Sequence, residues 1–223
     1  MRPEVLFLDV NETLLNLDEL KKSIAQSLDG RADLVPLWFS TLLHHSLVST
    51  AGDRYEDFGA IGVAALMMVA RNHGITLSED NARQAVSKIR SLPAYPDVEP
   101  ALIRLKAAGF RIYTLTNSSN SGVQAQMQFA GLTPHLEGLF SVEDVGIYKP
   151  HTHTYRWAAR KANAELNKCM LVAAHGWDVA GAMWAGMQAA FIARPGQTLY
   201  PLAPQPTLNV ANFGELADVL IAL

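Results

Sequence analysis

Four short stretches of the chain are apolar almost without interruption: residues 5–8, 111–115, 170–174 and 189–193, the last stopped by Arg194-Pro195-Gly196. Runs of this length without polar alternation are what strands show when helices cover both faces of a parallel sheet. Between them lie segments with helical spacing that close on glycine. Glu99 to Ala108 ends at Gly109 and Asp178 to Ala185 ends at Gly186, as left-handed helix caps do. From about residue 93 onward the chain alternates strand and helix, which predicts a doubly wound, Rossmann-like α/β core with a parallel sheet.

Residues 14–92 follow another pattern. Four helical stretches are predicted, at about 18–28, 33–50, 55–73 and 78–90, with no strand signal between them. Leu34, Leu37, Trp38, Thr41, Leu42 and His45 recur at three- and four-residue spacing, and Ser78 with Asn81 marks the start of the fourth helix. Met67 and Met68 are expected in the core of this unit. Helices inserted directly after a first strand read as a four-helix cap domain over the carboxyl edge of the sheet. The expected division is a core of residues 1–13 and 93–223 and a cap of residues 14–92, with Leu92-Pro93-Ala94-Tyr95-Pro96 as the return hinge.

Composition narrows the function. The chain has 223 residues, 49% apolar and 17% charged, a balance that folds into a globule. Eighteen basic against 21 acidic side chains give a net charge of −3. With no cluster of Lys and Arg, neither nucleic acid nor an anionic membrane is an expected partner. The single cysteine, Cys169, has no disulfide partner in the chain and sits in an apolar run, so it is expected as a buried filler. The apolar run before Asp9 is too short for a signal-peptide core or a membrane span, and the cytoplasm is the expected compartment.

Each of the first three predicted strands ends in a polar cluster: Asp9-Val10-Asn11-Glu12-Thr13, Thr116-Asn117-Ser118-Ser119-Asn120, and His175-Gly176-Trp177-Asp178. A further piece, Tyr148-Lys149-Pro150, precedes the third strand. Ligands of open α/β sheets bind beyond the carboxyl ends of the strands, so these clusters predict one site with two carboxylates, an ammonium, hydroxyls and amides.

In order and spacing, Asp9 with Thr13, Thr116-Asn117, Lys149-Pro150, and Asp178 followed by Gly181-Ala182 and Ala185-Gly186-Met187 resemble the four motifs of the haloacid dehalogenase superfamily. The resemblance covers essentially the whole chain, cap included. It implies that Asp9 is a nucleophile forming a covalent intermediate. Most members of that superfamily are magnesium-dependent phosphatases. Those enzymes carry a general acid two residues after the nucleophile, where this chain has Asn11, and a metal-binding carboxylate five residues before Asp178, where it has Ala173. The helical cap, the loss of both carboxylates and Trp177-Asp178 are closest to the metal-free L-2-haloacid dehalogenase branch. A halide leaves as a stable anion without protonation, so neither general acid nor metal is required, and no cofactor is expected.

The resemblance implies that Asp9 displaces halide from the α-carbon of a small 2-haloacid, giving an aspartyl ester that water then hydrolyses. Lys149 is implied to keep Asp9 ionised, Asp178 to orient the water, and Thr13, Thr116, Asn117 and Ser118 to supply hydrogen-bond donors. Three positions depart from the branch. Phe39 stands where it has a cap arginine, His175 where it has an asparagine, and Asn11 where it has a tyrosine. The expectation is that His175 and Trp177 donate N–H groups to the leaving halide, Phe39 closes the pocket from above, and Asn11 lines it. Glu12 is expected at a solvated edge, Asp18 as a helix cap, and Asp178 as both N-cap and functional group. The alternatives are a phosphatase or other hydrolase working through the same aspartate, and a silent protein binding small carboxylates. Joint retention of Asp9, Lys149 and Asp178 argues against the last. A homodimer is expected from the resemblance and from the apolar cap helices.

Overall fold

The computed structural model describes residues 2–223. Six strands, β1 (Val5–Leu8), β2 (Arg111–Thr116), β3 (Gly138–Ser141), β4 (Cys169–Ala173), β5 (Gln188–Ile192) and β6 (Leu208–Val210), form one parallel sheet in the order β3-β2-β1-β4-β5-β6. Val5 pairs with Arg111 on one side and with Cys169 on the other, so β1 is central. The chain winds outward in both directions from β1 and β4. That reversal leaves a crevice at their carboxyl ends, where such sheets bind ligands.

The apolar runs are explained by burial on both faces. Val5 and Phe7 point to one face, with Tyr155, Ala158 and Ala159 of α7 (Thr152–Lys161) and Val179 and Ala182 of α8 (Gly176–Ala185). Leu6 and Leu8 point to the other. They join Leu102 and Leu105 of α5 (Val98–Ala107), Val123 and Met127 of α6 (Asn120–Phe129), and Phe213 and Leu216 of α9 (Phe213–Ile221). Gly109 and Gly186 have φ of 86° and 101°, the left-handed conformation expected after their helices. Cys169 is buried, as expected. The edge strands β3 and β6 escaped the sequence reading because Gly138-Leu139-Phe140-Ser141 and Leu208-Asn209-Val210 hold no unbroken apolar run like that of β1.

Helices α1 (Asp18–Ser27), α2 (Val35–Ala51), α3 (Phe58–Asn72) and α4 (Glu79–Ser87) occupy the insertion between β1 and β2. Asp57 caps α3 by accepting from Ala60 N–H, and Ser78 caps α4 by accepting from Asn81 N–H. Trp38 anchors α2 on α3, its Nε1–H donating to the Gly62 carbonyl at 2.9 Å. The buried stripe of α2 is Val35, Trp38, Leu42 and Ser46; Leu37 is 45% exposed, so the expected stripe is rotated by part of a turn. Met68 is likewise exposed, a correction to its expected place in the core.

The expected hinge is clamped. Tyr95 N–H donates to Leu14 O and Asn16 N–H to Pro93 O, pairing the outgoing and returning segments at the base of the four helices. Asp18 opens α1 without capping it; the Asn16 side chain accepts from Asp18 N–H instead.

Candidate active site

The end of β1 delivers Asp9, whose N–H still bonds to Val172 O of β4. Thr13 lies four residues on, past a tight turn in which Leu14 N–H returns to Val10 O. Its hydroxyl donates to Asp9 Oδ2 at 2.6 Å and accepts from Ala174 N–H at 2.9 Å, tying the ends of the two central strands together. Arg194 holds this turn from beneath, through the Thr13 carbonyl and both oxygens of Asp97.

Lys149 reaches the centre from the loop before α7. Its ammonium contacts Asp9 Oδ1 at 2.9 Å, Asp178 Oδ2 at 2.6 Å and the Leu115 carbonyl at 2.8 Å. Only 1% of the residue is exposed, so water contributes little to its solvation. Burial works against the charge, but the two aspartates outweigh it and its pKa is raised. Asn117 fixes the same loop, its side-chain oxygen accepting from Lys149 N–H.

The two carboxylates flanking Lys149 differ. Burial pushes Asp9 up, but the Lys149 ammonium and the His175 ring outweigh it and hold the carboxyl well below the usual range. Burial and the nearby Asp9 charge raise Asp178, against the pull of Lys149. Asp178 is fully buried in the first turn of α8, where His175 occupies the N-cap position. This corrects its expected role as the cap. Its Oδ1 takes the Tyr155 hydroxyl at 2.5 Å. Burial and the Asp178 charge raise Tyr155 well above the usual phenol range, so it remains a donor. A close approach makes this packing work: a β-carbon on Gly181 would lie 2.5 Å from Pro150 Cβ and 2.6 Å from the Tyr155 hydroxyl.

The surroundings of His175 change the expected leaving-group pocket. Nδ1 lies 3.1 Å from Asp9 Oδ2 and Nε2 lies 3.2 Å from Glu12 Oε2. Both ring nitrogens therefore face carboxylates, and neither is free for a halide. The ring stacks between Phe39 of α2, at 6.2 Å, and Trp177, at 5.3 Å. Phe39 meets the site through its ring on His175. Glu12 is no solvated edge: it is 7% exposed, with Lys21 Nζ at 2.6 Å and Gln197 Nε2 at 2.9 Å completing its carboxylate. Asn11 has both ends of its amide engaged inside the protein, by Gln126 and by Ser118. Thr116 accepts from Ser118 N–H and turns the chain at the end of β2.

Sequence reasoning missed Glu12, Tyr155 and Arg194. None of the three carries a signal in the sequence; the structure marks Glu12 by its place in the turn after β1, with φ of 65°, a conformation that favours glycine. A divalent cation does not suit this donor set. The Lys149 ammonium lies between Asp9 and Asp178, residue 173 is alanine, and among the described residues no three His, Cys, Asp or Glu are grouped to hold a metal. A cleft of about 670 Å³ between α1, α2 and residues 195–197 has Glu12 and Phe39 in its lining.

Residues 3–186 match the family model for hydrolases of the haloacid dehalogenase-like type. The chain belongs to the haloacid dehalogenase-like hydrolases. It is 29% identical to (S)-2-haloacid dehalogenase 1 of Pseudomonas sp. (strain CBS-3), over 96% of this chain and 95% of that protein. It is 26% identical to (S)-2-haloacid dehalogenase H-109 of Pseudomonas putida, over 99% of this chain and 100% of the other. An L-2-haloacid dehalogenase from Xanthobacter autotrophicus, solved with chloropropionic acid covalently bound, shares the fold with a TM-score of 0.91. It is 21% identical, and 98% of each chain is covered.

Proposed function

We propose that this hydrolase cleaves the carbon–halogen bond of small 2-haloacids without a metal, through an ester on Asp9. The observation that carries the reading is the Asp9–Lys149–Asp178 triplet, one buried ammonium holding two carboxylates whose basicities are driven apart. Relatives named for (S)-2-haloacids, similar over nearly the full length, give the substrate class.

Asp9, ionised at any neutral pH, attacks the α-carbon opposite the halogen. The carbon–halogen bond breaks with its electron pair leaving on the halide, and the carbon inverts. Lys149 and Thr13 hold the carboxylate in place, and Ser118 and Asn117 stand at the end of β2 to receive the substrate carboxylate. Asp178, the more basic carboxylate, then takes a proton from a water that attacks the Asp9 carbonyl carbon. The ester C–O bond breaks, the hydroxy-acid oxygen takes that proton back from Asp178, and the water's second proton leaves Asp9 for solvent, which restores its carboxylate. Trp177 and Phe39 exclude bulk water through their stack on His175. The cleft lined by Glu12 and Phe39 is the substrate's approach in this reading.

The cap in this reading is residues 14–92 on a core of 1–13 and 93–223. A second copy of the chain covers Leu37, Leu47 and Val48, which α2 leaves exposed, making a homodimer. The lone buried thiol suits a reducing compartment, and we place the protein in the cytoplasm.

The test is halide release from fluoro-, chloro- and bromoacetate and both 2-chloropropionate enantiomers, with EDTA present. Release that survives chelation and vanishes in Asp9→Asn is expected. Release that requires added magnesium, or none from any substrate, would overturn the reading.

A further inference from the structure

His175 and Glu12 occupy positions that the reaction above leaves without a chemical task. Ionised carboxylates accept hydrogen bonds and donate none. Asp9 lies against one ring nitrogen of His175 and Glu12 against the other, so both contacts are hydrogen bonds only when both nitrogens carry a proton. We infer that Glu12 and His175 form a buried ion pair that fixes His175 as an imidazolium beside Asp9. His175 is then the second cation of the site, and Glu12 is a positioning residue acting through it. The inference rests on the dehalogenase reading only for its consequence, the acceptance of an anionic substrate.

Charge counting shows what the pair supplies. Asp9, Asp178 and Glu12 bring three negative charges to the cluster, and Lys149 and Lys21 bring two positive ones. With a neutral imidazole the cluster carries −1 and repels a haloacid anion; with an imidazolium it is neutral. The side chains facing the ring favour the cation, against the N-terminus of α8, whose N-cap position His175 holds. Asp9 comes from the end of β1 and Glu12 from the turn after it, while α2 offers only the Phe39 ring and α8 the Trp177 ring. Lys21 and Gln197 approach Glu12 and not the imidazole, and Lys149 lies on the other oxygen of Asp9. The Asp178 carboxylate meets Lys149 and Tyr155 and not the imidazole.

The local backbone fits the same purpose. Glu12 holds φ of 65°, where a side chain is strained, yet keeps its side chain buried with three donors on the carboxylate. Burial pulls the imidazole down, but the bonds to Asp9 and Glu12 more than reverse this and raise it to about 9. Stability from the imidazolium is thus complete below the ordinary histidine range and is lost as pH rises through about 9.

The test follows the His175 ring signal by NMR of histidine-labelled protein between pH 5 and 10, with His175→Asn identifying the signal. In the wild type the ring is expected to remain an imidazolium at pH 7. In Glu12→Gln its titration is expected to move down by about one pH unit or more, and the alkaline limb of kcat/KM for chloroacetate to move with it. Glu12→Gly, which takes the positive φ without strain, should do the same and guards against a folding defect in the glutamine variant. A neutral His175 at pH 7 in the wild type overturns the inference, as does a titration unmoved in both variants. The ring signal does not depend on turnover. Failure of halide release with an intact imidazolium would therefore sink the dehalogenase reading alone.

Discussion

At the carboxyl edge of the sheet, side chains from three separate segments bury charge and pair it; above them, four helices bury leucine, tryptophan and phenylalanine. The edge supplies Asp9, Glu12, Lys149, His175 and Asp178, each 7% exposed or less, with every charge on a named partner. The helices place one ring, Phe39, on the imidazole, and one ammonium, Lys21, on Glu12. The cations nearest Asp9 therefore both come from the sheet side. Chemistry and closure are separable here: the edge is held by electrostatics that fail abruptly when one member is lost, and the cap by packing that fails gradually.

The sharpest way to break this contrast is Lys149→Met. Removing the ammonium leaves Asp9 and Asp178 buried together, which is expected to cost about 3–5 kcal/mol in denaturant unfolding at pH 7 and to abolish halide release. The deficit should shrink as pH falls, because protonating one carboxylate relieves the repulsion; in such a pair the folded state binds the proton more readily than the unfolded chain. A variant as stable as the wild type at pH 7 would show that the pair is not what holds the edge.

Gly181→Ala probes the same edge through packing. Its methyl group would press on Pro150 and on the Tyr155 hydroxyl, with an expected loss of about 1–3 kcal/mol and a fall in kcat, since Tyr155 and Lys149 both move against Asp178. Unchanged kcat would detach Tyr155 from the catalytic geometry. The smallest effect belongs to the cap. Trp38→Phe removes the bond to Gly62 O and should cost about 1 kcal/mol by thermal unfolding, with kcat close to that of the wild type. A large fall in kcat would mean that the cap controls the chemistry directly.

The fold and the centre of the site could be read from sequence for one physical reason. Central strands buried on both faces leave unbroken apolar runs, and their carboxyl ends are where polar residues must gather. Asp9, Thr13 and Asp178 lie where such reasoning looks; Lys149, in the loop before α7, is marked by the motif resemblance instead. Gly181 is explained only by three-dimensional packing, through the close passage of α8 over Pro150. Glu12 reads as a surface acid because a lone glutamate between asparagine and threonine gives no sign of its partners, and His175 and Gln197 lie more than 160 residues away. Tyr155 and Arg194 sit on a helix and in a loop with no motif around them, and their importance comes from contacts made across the fold. Asp178 is correctly placed but misjudged as a cap, because both its oxygens are taken by Lys149 and Tyr155.

The most direct test of the central claim is a single turnover of chloroacetate with enzyme in excess in water enriched in oxygen-18. If Asp9 forms the ester and water cleaves it at the aspartyl carbonyl, the label enters the Asp9 carboxylate, read by mass spectrometry of the peptide, and the glycolate released carries none. Labelled glycolate with an unlabelled Asp9 would mean that water attacks the substrate directly, and the account of Asp9 as nucleophile would be wrong.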